Sequence, residues 1–559
     1  MKKQSFIQGS LILIASAAAA KVIGAIFRIP LANMLGGTGM GYFSSAYGIF
    51  MTIYAVSVTG LPVAAAKLTA ERSSIGDRAG MRKVKNTALL LCVIGGLAFM
   101  VLMLVLAYPF CTFISKSPES VFSVAAIAPS VLFGCITAVY RGCYEGQRNM
   151  YPTAVSQIIE AVVKLLSGLA LCYAVLNASD EFFLSAERFI KTVLPFSAIK
   201  AMTPNELVMP LAAAAAVSGV TISSAAGTFF IVMRDLLGKD GGAAQKSSES
   251  TRSVASALIT VIIPVALGSL VTNLTSLIDL ATIISSLTKA VSAAPQYFSQ
   301  FISESVPQSA LPNFFFGSFT GLAVTVFNLI PSFTNMFGKG AVPAIAEGFA
   351  GKNSELVKQS TMNVIFTSAF IAVPSGIGIS VLAPRILNLL FPTREAETAI
   401  CVLPLRILGA GVIFLSISSV LFAVLQAAGH SDIPVKTMLC GVAVKLLGNL
   451  ILVSIPQLNV TGAAISTTLC YLLIMIISIR SAAIYTGINV TSVYKLLLKM
   501  TFCGALCGAA AFFSEELLLN LANSRFTLII SVPLGALFYI ISTHLAGILT
   551  KSTLKLLIC

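Results

Sequence analysis

The sequence contains no tryptophan and only two histidines, and charged residues make up 10% of its 559 positions. Soluble globular chains carry about 25% charged residues, so a water-soluble domain is excluded. A disordered chain is excluded too, because disorder requires low hydrophobicity, and here 57% of residues are hydrophobic with a mean hydropathy of +0.93. The motifs HExxH, GxxxxGK[ST] and GxSxG are all missing. Their absence removes the signatures of zinc hydrolysis, P-loop phosphate binding and the serine nucleophile elbow. Eleven cysteines are scattered through apolar stretches with no CxxC pair and no Cys/His cluster. Neither a zinc site nor a disulfide framework is indicated. Cys503 and Cys507 share a helix face and read as small packing residues. Without tryptophan, any aromatic belt at a membrane surface must be built from tyrosine and phenylalanine.

Long apolar runs fill the rest. A spanning helix needs about 20 apolar residues, and fourteen candidates occur, near 8–29, 42–65, 87–108, 121–140, 153–176, 207–233, 254–280, 313–337, 360–383, 401–425, 435–455, 462–480, 495–513 and 527–549. The runs are unbroken rather than alternating, which argues against a β-barrel. Met1-Lys2-Lys3 before Leu11–Ala20 has the look of a signal peptide. The apolar stretch continues through Lys21 to Ile29, however, and reads as a first spanning helix. The net charge of +15 follows the positive-inside pattern. Loops on the side of the termini hold 23 Lys and Arg, and the opposite loops hold 8. Both termini are therefore expected in the cytoplasm. Two long loops fall on the outer side, 177–206 and 281–312. Both carry acids and aromatics and have room for short helices.

The chain repeats itself. Gly60-Leu61-Pro62-Val63-Ala64 aligns with Ala341-Val342-Pro343-Ala344-Ile345, the prolines being 281 apart. Ala161 to Gly168 aligns with Val442 to Asn449 at the same offset, and the polar turn Tyr144 to Pro152 matches Gln426 to Pro434. Three matches in the same order predict two six-helix halves of the same orientation, a parallel repeat common among transporters. The expected class is an all-α polytopic membrane protein with about fourteen transmembrane helices. The expected divisions are an N-terminal lobe 1–233, a cytoplasmic linker 234–253, a C-terminal lobe 254–480 and two additional helices within 481–559.

An ionisable group at the centre of a spanning helix costs about 2.5–3.5 kcal/mol on insertion scales, so the few present are informative. They are Lys21, Arg28, Glu160, Lys164, Asp279, Arg406 and Lys445. Lys21 and Arg28 lie two turns apart on one face, with Gly24 leaving room between them. That stripe suits a diphosphate and a neighbouring anionic group; the plainer reading has Arg28 snorkelling to the outer interface. Glu160 and Lys164 have the favourable i,i+4 order of an intrahelical ion pair. Gln157 extends the same face, and the alternative is a cavity-facing polar patch. Lys445 occupies the position equivalent to Lys164, with no acid one turn before it and Asn449 one turn after. A lone ammonium at that depth needs a partner, a cavity or a lost proton, and Asp279 is the candidate partner. That pair is either a coupling element or a static salt bridge. Arg406 is a candidate for contact with sugar or phosphate, or an interface anchor.

Two stretches carry a family resemblance. The first is Lys21-Val22-Ile23-Gly24-Ala25-Ile26-Phe27-Arg28-Ile29-Pro30 with Leu35-Gly36-Gly37-Thr38-Gly39-Met40-Gly41-Tyr42. The second runs from Tyr140-Arg141-Gly142-Cys143-Tyr144-Glu145 through Tyr151-Pro152 to Glu160. The chain resembles the stage V sporulation protein B-like proteins. These form part of the polysaccharide biosynthesis and lipid II flippase branch of the multidrug/oligosaccharidyl-lipid/polysaccharide exporter superfamily. The resemblance implies a flippase for undecaprenyl-diphosphate-linked saccharide, lipid II or a polysaccharide precursor, working by alternating access around a cationic cavity. It maps the family's first-helix basic residues onto Lys21 and Arg28, and a second-lobe cation site onto Asp279 and Asn449, where the Lys445 ammonium could stand in for a metal cation. Helices 42–65 and 313–337 contain no Lys or Arg, a departure from some lipid II flippases. No cofactor is expected. Coupling to membrane potential or an ion gradient is, and cell-wall synthesis enzymes are candidate partners. The rival functions are a drug/cation antiporter of the same superfamily and a non-transporting scaffold for wall-synthesis enzymes. An antiporter would want acids dominating its cavity, whereas here basic residues dominate.

Overall fold

The chain begins with a helix that doubles back on itself. In the computed structural model, α1 runs Phe6–Ser57 and is interrupted at Gly36, whose φ of 60° and ψ of −170° lie outside helical space. That backbone conformation is essentially reserved for glycine. A straight helix would put Phe27 and Phe43 about 24 Å apart; their ring centroids are 6.4 Å apart, so the two legs face each other. The sequence pattern predicts a loop over 30–41. The chain instead stays helical through Pro30 up to the break and resumes helix at once. The structure describes residues 6–193, 199, 202–238, 249–302, 306–522 and 525–549. Much of the expected linker, parts of both outer loops and the C-terminal residues lie outside them. Among the described residues the chain is almost entirely helix, with fourteen stretches long and apolar enough to cross a membrane.

The chain divides into two compact units, Met1–Ser285 and Ser286–Cys559. In the first unit α1 is followed by α2 (Gly60–Ser74) and α3 (Arg78–Pro109). Asp77 starts α3 by accepting the Gly80 N–H at 2.7 Å, a capping bond that satisfies one of the helix's free donors. A π-helical turn at Phe110–Ile114 ends that span. Next come α4 (Val121–Ile127) and α5 (Pro129–Gly146), two parts of one span separated at Ala128, and then α6 (Tyr151–Leu176). A short amphipathic helix, α7 (Asp180–Val193), lies in the expected outer loop. In α8 (Pro204–Leu237) the first turn is closed by Glu206, which accepts the Thr203 N–H at 2.8 Å. The long α9 (Thr251–Ala293) crosses from the first unit into the second. Its first part packs in the first unit: a Cβ on Gly60 would sit 2.6 Å from the Ile262 carbonyl oxygen, and one on Gly48 would sit 2.8 Å from Leu280.

In the second unit α10 (Leu311–Ser318) passes through a π-helical turn, Phe319–Ala323, into α11 (Val324–Ala350). Then follow α12 (Ser354–Leu390), α13 (Glu395–Ala427), α14 (Asp432–Leu452) and α15 (Asn459–Thr486). Packing partners recur between the units. α6 packs on α8 as α14 packs on α15; α2 and α3 pack on α5 as α11 and α12 pack on α13. The last two helices, α16 (Val490–Ala522) and α17 (Leu528–Leu545), pack on each other and on α12. Their apolar contacts include Met500, Cys503, Cys507 and Tyr539, buried with Val373, Ile417 and Ile479. Cys503 and Cys507 thus serve as small packing groups.

Lipid tails are as apolar as leucine, so spanning helices associate through close packing at small residues rather than through a hydrophobic drive. The α2–α5 contact illustrates this. A Cβ on Gly142 would lie 2.4 Å from the Pro62 carbonyl oxygen, and one on Gly146 would lie 2.5 Å from that of Ala66.

Candidate functional site

In the first unit α1 and α6 run side by side in the same direction. Ser16 Oγ donates to Gln157 Oε1 at 3.1 Å. Eleven residues further along α1, the Phe27 ring fits against Gly168, whose Cβ would come within 2.7 Å of it. The Lys164 ammonium stands 5.6 Å from the centre of that same ring, a cation–π arrangement. Lys164 is therefore beside the turn of α1 that carries Arg28. Arg28 is half-buried, and Lys21 is exposed. A side chain at Gly24 would meet no atom within 4 Å, so the face between Lys21 and Arg28 is open. The structure thus gathers Lys21, Arg28, Gln157 and Lys164 along the α1–α6 pair.

Glu160 does not form the intrahelical pair its spacing suggested. Its Oε1 lies 2.8 Å from Nη2 of Arg141 on α5. The Arg141 Nε–H donates to Ser156 Oγ at 2.9 Å, so the guanidinium is held from α6 at two points. Space for the Glu160 carboxylate comes from α8, where a Cβ on Gly227 would sit 2.4 Å from Oε1. The pair is mostly covered, with side-chain exposures of 16% for Arg141 and 27% for Glu160. Neutralising Glu160 from a neighbouring helix leaves Lys164 to the Phe27 face. Sequence reasoning missed Arg141 because the apolar run ends at 140 and the arginine falls one residue beyond it. The signal was that a helix carries on past its apolar run: α5 extends to Gly146.

Near the cytoplasmic side expected from the charge pattern, two further ion pairs tie the ends of the first unit's helices. Lys85 of α3 meets Asp235 of α8 at 2.7 Å, and Arg72 of α2 meets Glu249 at 2.6 Å. The other candidates lie apart from the α1–α6 pair in the chain. Asp279 is half-buried on α9, within the first unit. Lys445 is 3% exposed and Asn449 fully buried on α14 in the second unit. Asn449 Oδ1 accepts a hydrogen bond from Ser466 Oγ of α15. Gly448 allows that approach, since its Cβ would lie 2.5 Å from the Ser466 Cβ. Arg406 has an exposed side chain on α13, and its carbonyl accepts from Ser380 Oγ of α12 at 2.7 Å. Two buried acids also escaped the sequence reading, Glu397, 6% exposed and 3.8 Å from Arg394, and Glu515. Glu515, 3% exposed, accepts from Thr527 Oγ1 and Ser531 Oγ, both at 2.6 Å. It lies two residues beyond the apolar run that marks its helix. Among the described residues, no group of three or more His, Cys, Asp or Glu side chains is placed to hold a metal ion.

Residues 6–179 match the family profile described as polysaccharide biosynthesis protein, and residues 317–538 match that of the lipid II flippase MurJ. Stage V sporulation protein B of Bacillus subtilis (strain 168) is 26% identical over 476 residues, covering 83% of this chain and 81% of the relative. The lipid II flippase MurJ of the same organism is 22% identical over 506 residues, 89% of this chain and 85% of the relative. Among solved structures, an inward-facing multidrug resistance MATE family transporter of the MOP superfamily superposes with a TM-score of 0.64. It is 14% identical, and the match covers 87% of this chain and 99% of that one. The lipid II flippase MurJ in an inward closed conformation superposes at 0.62 and 14% identity, covering 97% of this chain and 98% of that one. At such identity the superpositions speak to the fold alone. The chain is a multi-pass membrane transport protein rather than an enzyme. Its two profile matches and these two relatives are polysaccharide-biosynthesis and lipid II flippase proteins, to which the chain is similar along most of its length.

Proposed function

We propose that this protein is a flippase of the bacterial cytoplasmic membrane that carries an undecaprenyl-diphosphate-linked saccharide, lipid II or a polysaccharide precursor, to the outer face. The observation that carries the reading is the open cationic face of α1. Lys21 and Arg28 flank a glycine with free space beside it, and Lys164 stands across Phe27. A diphosphate entering the membrane needs charge-assisted donors to replace its water. Gln157 and Arg406 are further candidates for polar contact with the headgroup, while the polyprenyl tail stays in lipid. Glu160, neutralised by Arg141, does not oppose an anion at Lys164.

In this reading the two six-helix lobes rock about the headgroup in alternating access, with both termini in the cytoplasm. Asp279, Lys445 and Asn449 are the candidates for coupling transport to the membrane potential or an ion gradient. An inside-negative potential favours outward movement of an anion by about 2.3 kcal/mol per charge per 100 mV if it crosses the full field. The basic character of the α1–α6 face disfavours a drug/cation antiporter.

The test is exposure of the lipid II headgroup at the outer face of proteoliposomes, comparing wild type with Lys21→Ala at equal protein. Exposure by wild type and its loss in the variant is the expected result. Equal exposure by both keeps transport and removes the α1 site. No exposure by wild type removes lipid II as the cargo.

A further inference from the structure

The amphipathic helix α7 has no place in the transport reading. It is 14 residues long, about 21 Å at 1.5 Å per residue, and too short for the roughly 30 Å of a bilayer core. Yet one side of it is strongly apolar. At 100° per residue, Phe182, Phe183, Ala186, Phe189 and Ile190 fall within an arc of about 120°. The opposite side carries Glu181, Glu187, Arg188 and Lys191 around a single exposed Leu184, with Glu187 and Lys191 paired at 2.6 Å.

The apolar stripe is used in two halves. Phe183 and Ile190 are each 5% exposed, and α7 packs on α8. Phe182 and Phe189, on the other half of the stripe, are 44% and 65% exposed. What covers them follows from the tether. Only residues 177–179 separate α7 from α6, a helix long and apolar enough to cross the membrane. The last turn of α6 still presents Tyr173, 64% exposed. So α7 begins where α6 leaves the apolar layer, and its open phenylalanines continue that surface. Basic and acidic residues on the far side then meet headgroups and water, the layout of an in-plane interfacial helix.

We propose that α7 lies in the plane of the membrane, with Phe182 and Phe189 seated at the headgroup–acyl boundary of the leaflet reached by the end of α6. This holds whatever the cargo.

The absence of tryptophan makes a clean test available. Phe189→Trp, Phe182→Trp and, as a polar-face control, Thr192→Trp each place a single tryptophan in the full chain. The proteins are reconstituted in vesicles of ordinary or brominated phospholipid, with acrylamide present on both sides. At positions 189 and 182 we expect blue-shifted emission that is lost in brominated lipid and resists acrylamide. At position 192 acrylamide should quench. If 189 and 182 quench with acrylamide as 192 does, the helix is off the membrane and the proposal fails. It fails equally if they are blue-shifted but indifferent to brominated lipid, since the rings then rest on protein, whether a second copy or another partner. If 192 is also lost in brominated lipid and shielded from acrylamide, the helix is submerged rather than in-plane. Two separate reporter positions keep the test decisive should one variant fail to fold.

Discussion

Arg141 and Glu160 form the residue-scale feature that most changes the reading of the site. The i,i+4 spacing of Glu160 and Lys164 pointed to an intrahelical pair, which stabilises an isolated helix by only about 0.2–0.5 kcal/mol. A guanidinium 2.8 Å away on α5 competes with that easily in a low-dielectric setting, where charge pairs gain strength. Removing one member of a fully buried pair costs about 3–5 kcal/mol, because the other charge is left behind. With the exposures found here, about half of that is the expected loss for Arg141→Ala. The Arg141→Ala/Glu160→Gln double variant should lose less than the sum of its two single variants. Thermal unfolding in detergent measures this as a double-mutant cycle; strictly additive losses would mean that the two groups do not interact. The candidate residues themselves were legible as ionisable groups in apolar runs. Which of them meet was not, since the partners come from helices distant in sequence.

At the scale of elements, the helices were legible because an apolar run of membrane length has essentially one stable backbone solution in lipid. Their ends were not. α5, α12 and α16 run past their apolar stretches, and the predicted loop at 30–41 proved to be helix broken at Gly36. Hydropathy reports where lipid is, whereas helix ends are set by caps and glycine geometry beyond it. Glycines separate by what faces them. Gly142→Ala forces a Cβ to within 2.4 Å of the Pro62 carbonyl oxygen, and neither backbone can yield cheaply. Overpacking of this kind costs about 1–3 kcal/mol, so a lowered unfolding midpoint is expected. Gly95→Ala on α3 meets nothing within 4 Å. It should be neutral, or stabilising by up to about 1 kcal/mol through helix propensity. Equal midpoints for the two variants would contradict the α2–α5 packing.

For the whole molecule, the bias of 23 against 8 basic residues between the two sets of loops predicts the orientation. A C-terminal fluorescent-protein fusion should be bright and a C-terminal alkaline phosphatase fusion inactive, while phosphatase placed within 177–206 should be active. The reverse pattern would invert the orientation and, with it, the direction assigned to transport. The class, the number of spanning helices, the duplicated plan and the short list of charges that must be accommodated are all written in the linear order of residues. Each of these follows from one-dimensional properties: run length, loop charge, and repetition at a fixed offset. The folded arrangement, by contrast, turns α1 back at Gly36, gives Glu160 to Arg141 and sets Lys164 against Phe27. It also packs the first part of α9 in the first unit. Those outcomes depend on contacts between helices, where the closeness of two backbones at a glycine, or of two opposite charges, outweighs any local preference.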